Sequence, residues 1–438
     1  MLRLDRITIW LIIVGLITII PAVQYTTSID EFLSLCFLGI GIMDSIVNGR
    51  WRQYGFLWII LAIMTFYAAY SFIHVHFNTP KAIFMDFIVE LKPFIPIAVL
   101  LVIKPEFNDT DRKLIKGISL FNCTILAIGL ILGDTVTQFL VFHPTYSGII
   151  IFISVLFYLY CSIRQDGGID KRDIKTALIF LTAGLICMRA KYFGYYVFAL
   201  YFLFLYKPGI MRHFNIKHAL GLFALFILVI AVSWHKIQYY FLVGESGSFD
   251  PDVVQSFARP VLYLTGFQIL FDYFPFGTGL ASFATAASAQ YYSDVYYEYG
   301  IDRVYGLAPD LDFNFICDTF FPVLAQFGVI GVILFTYFWV WIYEFLRAMI
   351  RQDAPMLKYK FIIGSLITIF IMIESVAATT LTGSCGFIVM ILLALTCIPG
   401  YEIRHKRALS SDCSTEQHKI STARIKIATT INHKRLKI

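Results

Sequence analysis

Arg189 and Lys191 stand two residues apart in Leu185-Ile-Cys-Met-Arg-Ala-Lys-Tyr-Phe-Gly194. The run lies between two short apolar stretches, so it forms a turn that dips beneath a bilayer surface. An arginine there is costly unless it meets an anion or snorkels outward from a helix end. Arg259 opens Ala258-Arg-Pro-Val-Leu-Tyr-Leu-Thr-Gly-Phe-Gln-Ile-Leu270, where Pro260 suits a first helical turn. A cation at that helix start has to be held by a carboxylate, such as Asp250 or Asp252, or by a ligand. Tyr263, one turn further on, is a candidate substrate contact.

Tyr273-Phe-Pro-Phe-Gly-Thr-Gly-Leu-Ala-Ser-Phe283 follows. Its Pro and two Gly predict a tight turn, either an ordinary one or one whose amides bind an anion. Tyr291-Tyr-Ser-Asp-Val-Tyr-Tyr-Glu-Tyr299 comes next. Aromatics beside carboxylates suit sugar stacking and hydroxyl binding, and they equally suit anchoring at a membrane interface. Arg303, Asp310 and Asp312 precede Cys317-Asp318-Thr319. Asp318 either caps the helix that starts there, where the dipole favours a carboxylate, or faces a reaction site. Lys92, in Glu90-Leu-Lys-Pro-Phe-Ile-Pro96, pairs with Glu90 or binds a head group.

Composition dictates the elements that carry these residues. Of 438 residues, 58% are hydrophobic and 15% charged, against about 25% charged in a soluble domain. Mean hydropathy is +0.74, and one core cannot hide that much, because cores stop growing at roughly 250–300 residues. The excess faces lipid. A soluble enzyme, a secreted disulfide scaffold and a disordered chain are excluded. A β-barrel is excluded too, because the apolar runs are continuous and do not alternate. The expected fold is an all-α polytopic membrane protein of about twelve transmembrane helices. The spans fall near 7–23, 32–47, 56–73, 83–103, 114–132, 145–163, 175–188, 192–206, 218–234, 320–344, 361–379 and 384–401. The first is read as a retained anchor, being long for a signal peptide. One large extracytoplasmic loop separates spans nine and ten. The organisation is therefore 1–234 for spans one to nine, 235–319 for the loop, 320–403 for the last three spans and 404–438 for a basic cytoplasmic tail.

Charge placement sets the orientation. With both termini inside, 28 of the 35 Lys and Arg residues fall in inside segments, six (Lys81, Arg189, Lys191, Lys236, Arg259, Arg303) fall outside and Lys92 lies within a span. That is the positive-inside pattern. The net charge of +6 therefore marks topology, and no nucleic-acid partner is expected. The eight cysteines lie mostly in or beside apolar runs and form no C-x-x-C pair, which supports neither a zinc site nor a disulfide framework.

The order of these pieces resembles the bacterial O-antigen polymerase and O-antigen ligase superfamily of inner-membrane glycosyltransferases. The resemblance rests on Arg189 at a short turn between middle spans, on Arg259 early in the large loop, on Pro275-Phe-Gly-Thr-Gly279, and on Cys317-Asp318 ahead of Gly328-Val-Ile-Gly331. It covers roughly residues 175–345. It implies a polyprenyl-diphosphate-linked oligosaccharide as donor, a second lipid-linked unit as acceptor, contact with membrane lipid and a chain-length regulator protein as partner. Arg189 and Arg259 would clamp the diphosphate, with Lys191 and Arg303 as accessories. Asp318 would be the general base, with Asp294, Glu298 and Asp312 as alternatives; Tyr263, Asp312 and Lys92 are further candidate substrate contacts. No cofactor is implied. The nearest approach to an outer Asp-x-Asp is Asp310-Leu-Asp312, so a metal-independent reaction is expected. One departure favours the polymerase: ligases carry a His-Asn pair where this chain has Cys317-Asp318. A ligase acting on a lipid A core, and a lipid-linked-oligosaccharide flippase, are the competing expectations. Against the flippase stand the large loop and the absence of similarity between halves.

Overall fold

A computed structural model describes residues 4–25, 28–206, 257–309, 314–351 and 355–407, with the single positions 227, 234 and 238. The predicted span at 218–234 falls almost wholly outside them. So do Asp250, Asp252, Asp310, Asp312 and the tail beyond 407.

The described residues are helical with no strand. In chain order the helices are α1 (Leu4–Gln24), α2 (Ile29–Val47), α3 (Trp51–Val75), α4 (Pro80–Leu91), α5 (Phe94–Ile103), α6 (Asp109–Leu132), α7 (Asp134–Val141), α8 (Pro144–Cys161), α9 (Lys171–Ala183), α10 (Ala190–Leu205), α11 (Ala258–Asp272), α12 (Ala286–Gln290), α13 (Val295–Glu298), α14 (Phe321–Arg351), α15 (Lys358–Val376) and α16 (Ser384–Arg407). Seven of these, α1, α3, α6, α8, α14, α15 and α16, are long and apolar enough to cross a membrane. The chain is a membrane protein by that measure. The others depart from the simple pattern for physical reasons. Helix α2 is long enough, but it carries Asp30, Glu31 and Asp44. The stretch 83–103 breaks at Lys92-Pro93 into α4 and α5, because proline lacks an N–H and disfavours helix in the residue before it. Helix α9 passes into a short 3-10 turn at Gly184–Cys187 before α10 begins.

Helices α8 and α16 form the middle of the bundle, with 83% and 78% of their apolar windows buried, whereas α3 and α14 are outermost at 22% and 28%. Lipid is as apolar as leucine, so close packing comes from small residues that let helices touch. A Cβ on Gly400 would lie 2.1 Å from the Phe345 carbonyl oxygen, and one on Gly15 would lie 2.6 Å from Ile388 Cδ1. One end of the bundle is tied by ion pairs among the basic clusters: Arg6 with Asp111 (2.6 Å), Lys104 with Glu402 (2.8 Å) and Lys116 with Asp173 (3.0 Å).

The segment 257–309 covers the opposite end and is built into it. Tyr67 of α3 donates to the Phe327 carbonyl at 2.6 Å, and Tyr70 donates to that of Gly277 at 3.1 Å. Asp86 of α4 is wholly buried and accepts from the Ala281 amide (2.8 Å) and from Gln326 Nε2 (3.0 Å). Helix α11 lays one face on the first turns of α14. Its other face exposes Leu264, Phe267 and Phe271.

Candidate functional site

The site is assembled from helix ends. Gly184 lets the chain turn after α9, since a Cβ there would lie 2.0 Å from the Tyr192 hydroxyl oxygen. Met188 follows with a left-handed φ of 50°. That reversal places Arg189 at the N-terminus of α10. Its Nη2 lies 2.9 Å from Nε2 of His143, which precedes α8. His143 is in turn within Coulomb range of Asp318 and Lys191. Asp318 Oδ2 accepts from Arg259 Nη2 at 2.7 Å. Arg259, in the first turn of α11, pairs with Asp318, and Arg189 meets His143, at the same end of the bundle. The carboxylate beside Arg259 comes from 59 residues further along the chain.

Lys191 donates to Glu374 Oε2 of α15 at 2.8 Å and to the Ala377 carbonyl at 3.2 Å. Thr380 Oγ1 also donates to Glu374 Oε2, at 2.9 Å. Tyr263 donates to the Val376 carbonyl (2.8 Å), and Thr379 Oγ1 donates to that of Cys317 (2.8 Å). These bonds fasten α11 and the approach to α14 onto the end of α15. Among the described residues the cluster brings together the cations Arg189, Lys191 and Arg259 and the carboxylates Asp318 and Glu374, with Asp134 also acting on His143. Glu374 Oε1 and Thr319 Oγ1 are buried among the described residues with no hydrogen-bond partner, and such atoms in a polar seam suit a polar ligand or water.

Burial, and then the charge of Arg189, hold the His143 imidazole below the ordinary histidine range. Burial and the neighbouring carboxylates Asp318, Asp86 and Glu90 push the Cys317 thiol up to about 12. A thiol held that way stays protonated and is no nucleophile.

Two candidates lie apart from the cluster. Lys92 is 2% exposed and sits between Asp30 and Glu31 of α2, the second at 2.7 Å. Its carboxylate partners are therefore those of α2, and no surface is left on it for a head group. Arg303 is exposed in the loop, with no ion pair to the cluster among the described residues. Asp312 lies outside those residues. In the turn Pro275–Gly279 both glycine amides are spent within the protein. The Gly277 amide donates to the Tyr273 carbonyl (2.8 Å), that of Gly279 to Gln326 (2.8 Å) and that of Leu280 to Ser71 Oγ (2.7 Å). Of the two alternatives, the turn is the ordinary one, spent on holding loop to bundle. Glu298 is exposed and accepts from Tyr273 at 2.5 Å, while the Asp294 amide donates to the Phe77 carbonyl (3.2 Å).

Reasoning from sequence passed over His143 and Glu374. His143 offered the signal His-Pro directly before an apolar run. Glu374 offered a stronger one, as the lone acid of an otherwise apolar span. Among the described residues no group of three or more His, Cys, Asp or Glu side chains could hold a metal ion. Compared with family models, with curated proteins and with solved structures, the chain finds no match.

Proposed function

We propose that the protein is a glycosyltransferase of the bacterial inner membrane that polymerises polyprenyl-diphosphate-linked oligosaccharide repeat units. In this reading the chain crosses twelve times with both termini cytoplasmic, and the 257–309 segment faces the periplasm. The observation that supports the proposal is that the turn bearing Arg189 and Lys191 and the helix bearing Arg259 are both fastened to the end of α15, through Lys191 on Glu374 and Ala377 and Tyr263 on Val376. An acceptor hydroxyl attacks the anomeric carbon of the donor and loses its proton. The bond to the diphosphate oxygen breaks, and the polyprenyl diphosphate leaves with the electron pair. Negative charge grows on that leaving group. Guanidinium groups stay charged and bind phosphate oxygens bidentately, and one preorganised donor is worth about 3–4 kcal/mol. Asp318, which engages Arg259 through Oδ2, is assigned as proton acceptor. A chain-length regulator belongs to the same proposal as partner.

The test is expression of Arg189→Ala and Arg259→Ala in cells lacking the native protein, followed by gel analysis of surface glycan. Each variant should reach the membrane at normal level and yield single-repeat products. A normal ladder from either sinks the clamp.

A second reading is favoured by one observation. Asp86, Glu90, Lys92 and Asp30 are all buried among apolar helices, and strings of intramembrane ionisable groups mark ion pathways in transporters. A lipid-linked-oligosaccharide flippase would use them. Purified protein in liposomes separates the two: transport without bond formation favours the flippase, and bond formation favours the polymerase.

A further inference from the structure

The ring of His143 faces two groups that can only donate. Arg189 Nη2 lies 2.9 Å from Nε2, and the Thr145 backbone N–H lies 3.3 Å from Nδ1. A neutral imidazole has one lone pair in the ring plane, so it serves either the Thr145 N–H at Nδ1 or, with the proton on Nδ1, the cation at Nε2; an imidazolium has none. The charged groups that face the ring come from three elements. Arg189 and Lys191 belong to the start of α10, Asp318 precedes α14, and Asp134 begins α7. Two of these are cations and the nearest is Arg189, so a proton on Nε2 would set like charges against each other at hydrogen-bond distance.

We infer that His143 is a positioning residue, whose neutral Nε2 aims Arg189 into the site, and that protonating His143 releases the arginine and weakens anion binding. The inference rests on the reading of the cluster as a diphosphate site. A glutamine here would hold the guanidinium at every pH. A histidine makes the grip conditional on the acidity of the compartment that the cluster faces.

The experiment uses the full-length protein in lipid nanodiscs with farnesyl diphosphate as the probe. Wild-type affinity should fall several-fold more than that of His143→Gln as the pH is lowered from about 7 to about 4.5, because His143 takes up its proton below the ordinary histidine range. His143→Ala should bind weakly throughout. His143→Gln should restore binding over His143→Ala and show no acid fall beyond the titration of the probe itself, which every variant shares. In parallel, ¹⁵N-histidine spectra should show His143 neutral, with its proton on Nδ1, to lower pH than an ordinary histidine. Arg189→Gln should move that titration upward. Identical pH curves for wild type and His143→Gln overturn the inference, as does a His143 titration that ignores Arg189. Should wild type fail to bind the probe at any pH while the spectra behave as stated, the diphosphate reading fails and the positioning contact stands.

Discussion

Glu374 is the only acid on α15, and its bond to Lys191 spans 183 residues of sequence. The two side chains are 1% and 23% exposed, so the carboxylate is buried and Lys191 is its charged partner. Taking away one partner of a buried pair typically costs about 3–5 kcal/mol. Lys191→Ala and Glu374→Ala should each lower stability by that order in detergent melts, and the double variant should cost clearly less than their sum. Strict additivity would mean the contact is incidental. Arg189, Arg259 and Asp318 were visible as candidates because charge is rare and expensive next to lipid. Their partners were not visible, because nothing in the sequence near Arg259 announces a carboxylate 59 positions away.

At the scale of elements, the glycines of the loop and of α14 interlock. Gly277 and Gly328 have φ of 75° and 62°. A Cβ on Gly328 would lie 2.3 Å from the Pro275 carbonyl oxygen, and one on Gly277 would lie 2.2 Å from that of Ala325. The sequence pattern that looked like an anion-binding turn is a backbone clasp, and the Gly-x-x-Gly start of α14 is its other half. Gly328→Ala should therefore cost about 1–3 kcal/mol from overpacking, with added strain from the left-handed backbone. Gly39→Ala, which meets nothing within 4 Å inside α2, should hold or raise the melting temperature. Equal melting temperatures for the two variants would remove the clasp from the account. Asp86 works at the same scale. In sequence it is an acid inside the fourth apolar run. In the structure it is the acceptor that fixes Ala281 and Gln326.

For the whole molecule, two chemically different ends follow from one bundle. The end bearing Arg6, Lys104 and Lys116 is basic and cross-tied, while the end bearing the 257–309 segment carries the Arg189–Arg259 cluster. The proposed orientation puts the first inside the cell. In a cysteine-free background, Gln290→Cys should react with a membrane-impermeant maleimide in intact cells, and Gln53→Cys should react only after permeabilisation. Both positions are exposed. The reverse pattern would turn the protein over and move the cluster to the cytoplasm.

The sequence by itself determined the class of solvent and the helical character of the described residues. Continuous apolar runs can be satisfied in lipid only as helices, because each backbone bond is then made within its own segment. That physics is local, so it is legible in a string of residues. It also singled out the costly cations. The tertiary structure alone decided which partner each charge meets: Asp318 for Arg259, Glu374 for Lys191, His143 for Arg189, and Asp30 with Glu31 for Lys92. Those pairings depend on how helix ends stack after the bundle closes, and chain separation carries no information about that distance.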